Sequence, residues 1–461
     1  MPVPERPNLL FVFSDQHRWC DLGCYGNPQV HTPALDSFAW RALRFENCIS
    51  NAPVCVPARG TLLTGRYPLG HGALTNDLPM HHGVPSIADV LAAAGYHTGY
   101  IGKWHLAGVP RDQFVPAGPG RFGFREWKVC NCNHAYFNAY YFDEENRRVP
   151  VEGYEPMAQT HLAIDFIHRN REIPWCLFLS WGPPHDPYHA VPDAYLQRYR
   201  ERELHLRPNV PDQILLARNR YLSREEIRER TRGYYAHITA LDEQFGRLLE
   251  ALFRSGQLDR TIVVYTSDHG DMLGSQGLTN KQLPYDESVK VPLLIAWQGH
   301  TRRGVTFEPI GLVDLPVSLL GLMGLSFPNP VDGIDLHHLF TDPGARGRDE
   351  CYIFDLIPCH QAAARGDREW RGVRTRSHTF ARTASDEGYV LFDNLSDPYQ
   401  RRNLIGDPAA REIHGELLAR TNALAQQHDR LLPWEDFLRE FGYVEAWNRS
   451  QAYFRLPLLA P

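Results

Sequence analysis

Residues 8–16 read Asn8-Leu9-Leu10-Phe11-Val12-Phe13-Ser14-Asp15-Gln16, five apolar side chains in a row that run into an acid and an amide. A strand with one wet face alternates apolar and polar residues. An unbroken run of this length instead suits a strand covered on both faces. Four more runs of the same kind follow, at residues 97–102, 175–181, 261–267 and 291–297. Between them lie helical patterns at residues 32–41, 86–94, 158–169, 230–254 and 312–322. This alternation predicts an α/β fold, a large and mostly parallel sheet sandwiched by helices.

Polar residues gather just beyond the apolar runs: Asp15, Lys103, His185 and Asp268. In doubly wound sheets ligands bind outside the carboxyl ends of the strands, so these four side chains are expected to converge. The charged stretch 197–228 reads as an exposed insertion.

Around Asp342-Pro343-Gly344-Ala345-Arg346-Gly347 the pattern changes. This turn-rich segment sets an expected boundary between a catalytic domain, 1–345, and a C-terminal α+β subdomain, 346–461. The latter shows strand patterns at 351–356, 370–375, 378–381 and 389–393, and a helix at 409–429. An aromatic tail with Trp434, Phe437, Phe441, Tyr443, Trp447, Tyr453 and Phe454 ends the chain. Such a tail needs apolar cover, from its own body or from a second subunit in a homo-oligomer.

The chain's 461 residues suit a large core with a smaller companion. With 43% hydrophobic and 22% charged residues it has the composition of a folded globular protein. A net charge of −6 argues against a nucleic-acid binder. No stretch reaches the roughly 18 apolar residues of a membrane span, and the start lacks the pattern of an export signal, so the expected location is cytoplasmic. Nine scattered cysteines do not outline a disulfide framework. Reduced structural thiols are expected for all but one.

That one is Cys55, in Cys55-Val56-Pro57-Ala58-Arg59-Gly60. It stands in the company of Asp15-Gln16, Gly102-Lys103-Trp104-His105, Pro184-His185-Asp186-Pro187 and Ser267-Asp268-His269-Gly270 with Lys281 downstream. A further match is Phe392-Asp393-Asn394-Leu395-Ser396-Asp397-Pro398 followed by Asn403-Leu404. Together these motifs resemble, in order and spacing across nearly the whole chain, the type I sulfatases of the alkaline phosphatase-like superfamily.

The resemblance implies that a formylglycine-generating enzyme oxidises Cys55 to an aldehyde, whose hydrate attacks the sulfur of a sulfate monoester. It implies a divalent metal held by Asp15, Gln16, residue 55, Asp268 and His269. Oxygen ligands favour calcium, with magnesium or manganese as alternatives. Gln16 stands where relatives often carry a second Asp, which removes one negative charge. By the same resemblance Lys103 and Lys281 contact sulfate, Arg59 compensates the clustered oxygens and helps neutralise sulfate, and His105 assists sulfate elimination. His185 donates a proton to the departing alcohol, a role Lys281 also fits. His134 and Tyr188, with Asn133, Tyr136, Tyr140, His189 and Arg111, are candidates for the rest of the substrate pocket. The substrate class so implied is a carbohydrate or other small organic sulfate. The rival activities are a phosphodiesterase or phosphonate monoester hydrolase of the same superfamily, and a non-catalytic binder of sulfated ligands.

Overall fold

The computed structural model describes residues 6–459. Its centre is a ten-stranded sheet. Five strands form the parallel middle, in the order Thr261–Ser267, Asn8–Asp15, Trp175–Pro184, His97–Lys103 and Glu126–Cys130. Four of the five apolar runs therefore lie where both faces are covered. Along Asn8–Asp15 the side chains divide by parity: Leu9, Phe11 and Phe13 join one core, Leu10 and Val12 the other. The helices Cys55–Thr64, Ile87–Ala93 and Leu315–Leu322 close the first core, and Glu155–Arg169 and Arg224–Arg254 close the second.

The fifth run, 291–297, does not form one strand. Pro292 has no N–H to offer a ladder, and the segment splits there. Lys290–Val291 pairs with Cys48–Ile49 in a small sheet, while Leu293–Ala296 runs antiparallel to Thr261–Ser267. The long helix begins at Arg224, six residues ahead of the predicted start. Ser223 and Glu226 cap it reciprocally, side chain to backbone in both directions. The preceding stretch also departs from expectation. It folds into a hairpin, Gln213–Ala217 with Arg220–Ser223, and buries Leu204, Val210, Ile214 and Leu222. Arg207 and Asn209 anchor it by donating to Glu287 Oε1 at 2.9 and 2.8 Å.

Toward the C-terminus an antiparallel sheet forms from Glu350–Asp355, Trp370–Thr375, His378–Arg382 and Val390–Asp393, followed by the helix Arg411–His428. The aromatic tail folds into Trp434–Glu440 and Val444–Tyr453. Its Phe437, Leu438 and Trp447 are buried with Tyr67, Leu78, Val313 and Phe354, so the chain's own body supplies their cover. Among the described residues no helix is long and apolar enough to cross a membrane.

Candidate active site

Asn8–Asp15 and Thr261–Ser267 are neighbours in the sheet, so Asp15 and Asp268 emerge side by side from their carboxyl ends. Both are fully buried. Arg59 reaches between them from the helix Cys55–Thr64, donating from Nη2 to Asp15 Oδ2 and from Nε to Asp268 Oδ2, each at 3.0 Å. Its Nη1 donates to the Lys103 carbonyl at 2.9 Å and to Ser180 Oγ at 2.7 Å. The guanidinium is thus committed to holding the strand ends together. Four of its five N–H groups are engaged in this way.

Cys55 opens its helix in the first turn, where the helix dipole favours an anion. The backbone N–H of Val56 donates to Asn76 Oδ1 at 3.1 Å, which pins that turn. Gly60 permits the close approach of the His71 ring: a Cβ there would lie 2.6 Å from a ring carbon. Cys55 Sγ lies 3.2 Å from His269 Nε2, 3.7 Å from Asp15 Oδ1 and 3.9 Å from Lys103 Nζ. Burial and Asp15 oppose ionisation of this thiol, but Lys103, Lys281 and His269 outweigh them and hold it well below the usual thiol range.

Lys103 ends the strand His97–Lys103 and donates to Asp15 Oδ2 at 2.6 Å. Gly102 before it has φ 107, and a Cβ there would meet the Ser180 carbonyl at 2.0 Å, so only glycine delivers the lysine here. His269 Nδ1 sits 2.9 Å from the Gly270 carbonyl. A carbonyl only accepts, so Nδ1 carries a proton and Nε2 is the atom that faces the cluster. One atom each from Asp15, Cys55, Asp268 and His269 all lie within 4.8 Å of one another.

The other half of the site is Lys281, which donates to His185 Nε2 at 2.8 Å and to Gln16 Oε1 at 2.6 Å. Gln16 Nε2 in turn donates to Asp271 Oδ2 at 2.8 Å, and Tyr188 OH donates to the same oxygen at 2.6 Å. The Gln16 side chain therefore bridges Lys281 and Asp271. His134 stacks on His185 with ring centroids 4.2 Å apart. Asp15, Lys103, His185 and Asp268 thus lie in one connected group, with Cys55, Arg59, Lys281, His269 and Gln16.

The pocket candidates divide. His134 borders the site, and Tyr188 stands behind Gln16. Tyr136 is buried with its hydroxyl donating to the His185 carbonyl at 2.8 Å, a support for that loop. Tyr140 lies on the strand Tyr140–Phe142, one in from the sheet edge, Asn133 caps the turn at Ala135, and His189 is exposed beside His237. Arg111 is bound to Asp77 and helps form the wall around His105. Cys132 departs from the expected inert thiol. It lies 3.6 Å from His134 Nε2, and although burial opposes ionisation, His105, Lys103 and His134 bring its pKa well below the usual value. Cys132 follows the strand Glu126–Cys130, so the strand-end rule that picked out Lys103 was the signal for it. Asp271, four residues past the strand Thr261–Ser267, carried the same signal, while Asp77 lies in a loop with no such marker.

The sulfatase family model matches residues 7–325, and the model of the N-sulphoglucosamine sulphohydrolase C-terminal region matches 274–427. An ulvan-active sulfatase of Formosa agariphila is 36% identical over 97% of this chain and 86% of its own length. An N-acetylglucosamine-6-O-sulfatase of Bacteroides thetaiotaomicron is 26% identical over 90% of this chain and 85% of its own. The crystal structure of the YidJ sulfatase from Bacteroides fragilis superposes with a TM-score of 0.83 at 28% identity, covering 94% of this chain and 98% of that one. With the family model spanning the whole parallel sheet and its polar strand ends, the chain belongs to the sulfatase family of sulfuric ester hydrolases.

Proposed function

We propose that the protein hydrolyses a carbohydrate sulfate monoester, using a formylglycine formed at Cys55 and a calcium ion beside it. The observation that carries this reading is the placement of Cys55 Sγ between the Asp15, Asp268 and His269 cluster and the Lys103 ammonium. The cluster fits a hard divalent cation. Burial raises the Asp268 pKa and the Asp15 charge raises it further, a repulsion that a cation between the carboxylates relieves. Asp15, Asp268, His269 and residue 55 would hold it, and Gln16, whose side-chain oxygen accepts from Lys281, would be the further candidate ligand. Magnesium and manganese are the alternatives with the same ligand preference. When bound, the ion supplies positive charge to the sulfate oxygens. The aldehyde hydrate at residue 55 supplies one hydroxyl for attack on sulfur and a second for release of sulfate.

The remaining work falls to encoded side chains. Lys103 and Lys281 meet the anionic sulfate, a preorganised charge arrangement in a dry site. His185 and Lys281, already hydrogen-bonded, hold the proton for the departing alcohol. His105 serves the release of sulfate. A sugar as the alcohol is supported by the relative named for N-acetylglucosamine and by the polar wall of His134 and Arg111.

Mass spectrometry of the peptide containing residue 55 tests the reading. Conversion lowers its mass by about 18 Da and requires a formylglycine-generating enzyme in the host. Converted protein should then release sulfate from sulfated sugars faster than it cleaves an aryl phosphodiester. Full conversion with no sulfate release from any ester would overturn the assignment.

A further inference from the structure

Asp77 and His105 are both non-glycine residues with left-handed backbones, φ 70 and 66. Strain of this kind persists where the surroundings over-determine the conformation, and it clusters at functional sites. The two side chains face each other, His105 Nε2 lying 3.4 Å from Asp77 Oδ1. Arg111 grips the same carboxylate from the other side, donating from Nε to Oδ1 at 2.7 Å and from Nη2 to Oδ2 at 2.8 Å. The Arg111 guanidinium in turn lies 4.7 Å from the Phe454 ring, which stacks on His360 with centroids 4.5 Å apart.

This arrangement dictates which ring nitrogen works. A carboxylate only accepts, so Nε2 of His105 carries its proton toward Asp77. Nδ1 is buried and makes no hydrogen bond of ordinary geometry, while Cys132 is the ring's other hydrogen-bonding neighbour. The charged and titratable groups facing the ring are Asp77, Cys132, Lys103, Arg111 and His360. Burial lowers the His105 pKa and Lys103 opposes its charge, but Cys132 and Asp77 carry it up to about 10. A buried ion pair adds little stability over well-packed apolar groups, so Arg111–Asp77 is better explained by orientation than by stability.

We propose that Asp77, fixed by Arg111, is the positioning residue of His105, holding the ring so that Nδ1 is the atom presented to the reaction. This rests on the sulfatase reading of the site. Partners that orient a working histidine typically cost 10–100-fold in activity when removed.

Converted enzyme assayed on a sulfate ester should show Asp77→Ala lowering kcat by about 10–100-fold with KM within about twofold. Asp77→Asn, which keeps an acceptor oxygen, should recover part of the loss. In a His105→Ala background, Asp77→Ala should add less than about twofold, because its effect passes through the missing ring. The same factor in both backgrounds would overturn the proposal. A readout free of turnover is the His105 ring titration by NMR in unconverted protein, where Asp77→Asn should lower the midpoint. An unchanged midpoint would also overturn the proposal, including where Asp77→Ala does not fold. Converted wild-type enzyme that hydrolyses no sulfate ester would sink the activity assignment instead, and the NMR midpoint would still decide the Asp77–His105 pairing.

Discussion

Lys281 Nζ donates a hydrogen bond to His185 Nε2 at 2.8 Å, while His185 Nδ1 lies 2.8 Å from the Asp186 carbonyl. The carbonyl accepts a hydrogen bond from Nδ1–H, and Nε2 accepts from the lysine, so the ring is neutral. Burial, Lys281 and His134 keep the His185 pKa well below its usual value. In the resting site the mobile proton therefore sits on Lys281, and the proposed acid function would belong to the pair.

Leaving-group dependence should show this sharing. His185→Ala and Lys281→Ala are each expected to lose about a hundred- to ten-thousand-fold on an alkyl or sugar sulfate. An aryl sulfate with an acidic phenol needs little protonation and should lose much less. Equal losses on both substrates, read from kcat/KM across a substrate series, would assign the two residues to binding alone.

Cys55→Ala is expected to abolish sulfate release and leave the fold intact. The side chain is small, and the turn around it is held by Asn76 and by the Arg59 contacts. Sulfate release by ion chromatography, beside circular dichroism, checks both halves.

Chelation should remove activity reversibly, and calcium should restore it best, since oxygen atoms dominate the ligand set. Better recovery with zinc would refute the metal assignment. Gln16→Asp adds a carboxylate beside Lys281 and the cluster and should tighten calcium binding, as measured by titration calorimetry.

Arg59→Met should be costly for folding, because it leaves Asp15 and Asp268 buried with one bridging cation removed. Breaking a buried pair from one side costs about 3–5 kcal/mol. Denaturant unfolding should show that loss, and added calcium should narrow it by screening the two carboxylates. A stability change below about 1 kcal/mol would mean that the remaining groups absorb the charge.

Asp355 offers a pH test away from the cluster. Its Oδ1 accepts from Gln282 at 3.0 Å, its Oδ2 is buried without a partner, and burial raises its pKa to about 8. The unfolded carboxyl titrates near about 4, so between the two values the folded state binds the extra proton. The stability contributed by this group is complete below about pH 4 and is lost as pH rises through about 8. Asp355→Asn should therefore raise Tm relative to wild type at pH 8.5 and lose that advantage near pH 5. A Tm difference independent of pH would refute it.

Much of this protein was legible in its sequence because the relevant signals are local. An unbroken apolar run such as Leu9–Phe13 specifies a doubly covered strand, and the first polar residue after it must surface at the strand's carboxyl end. That logic located Asp15, Lys103 and Asp268 before any contact was known. The capping pair Ser223 and Glu226 and the break at Pro292 were equally local, and reading them would have corrected two element boundaries. Tertiary structure alone decided which of these ends are neighbours and what charge each group carries. Asp15 meets Lys103 across 88 residues, and Gln16 meets Lys281 across 265. The commitment of Arg59 to two carboxylates, the lowered pKa of Cys132 and the grip of Asp77 on His105 all arise from such long-range meetings. The physical reason is that strand order and burial set both distance and dielectric, and hydrogen-bond partners and pKa values follow from those two quantities, which no local stretch of chain contains.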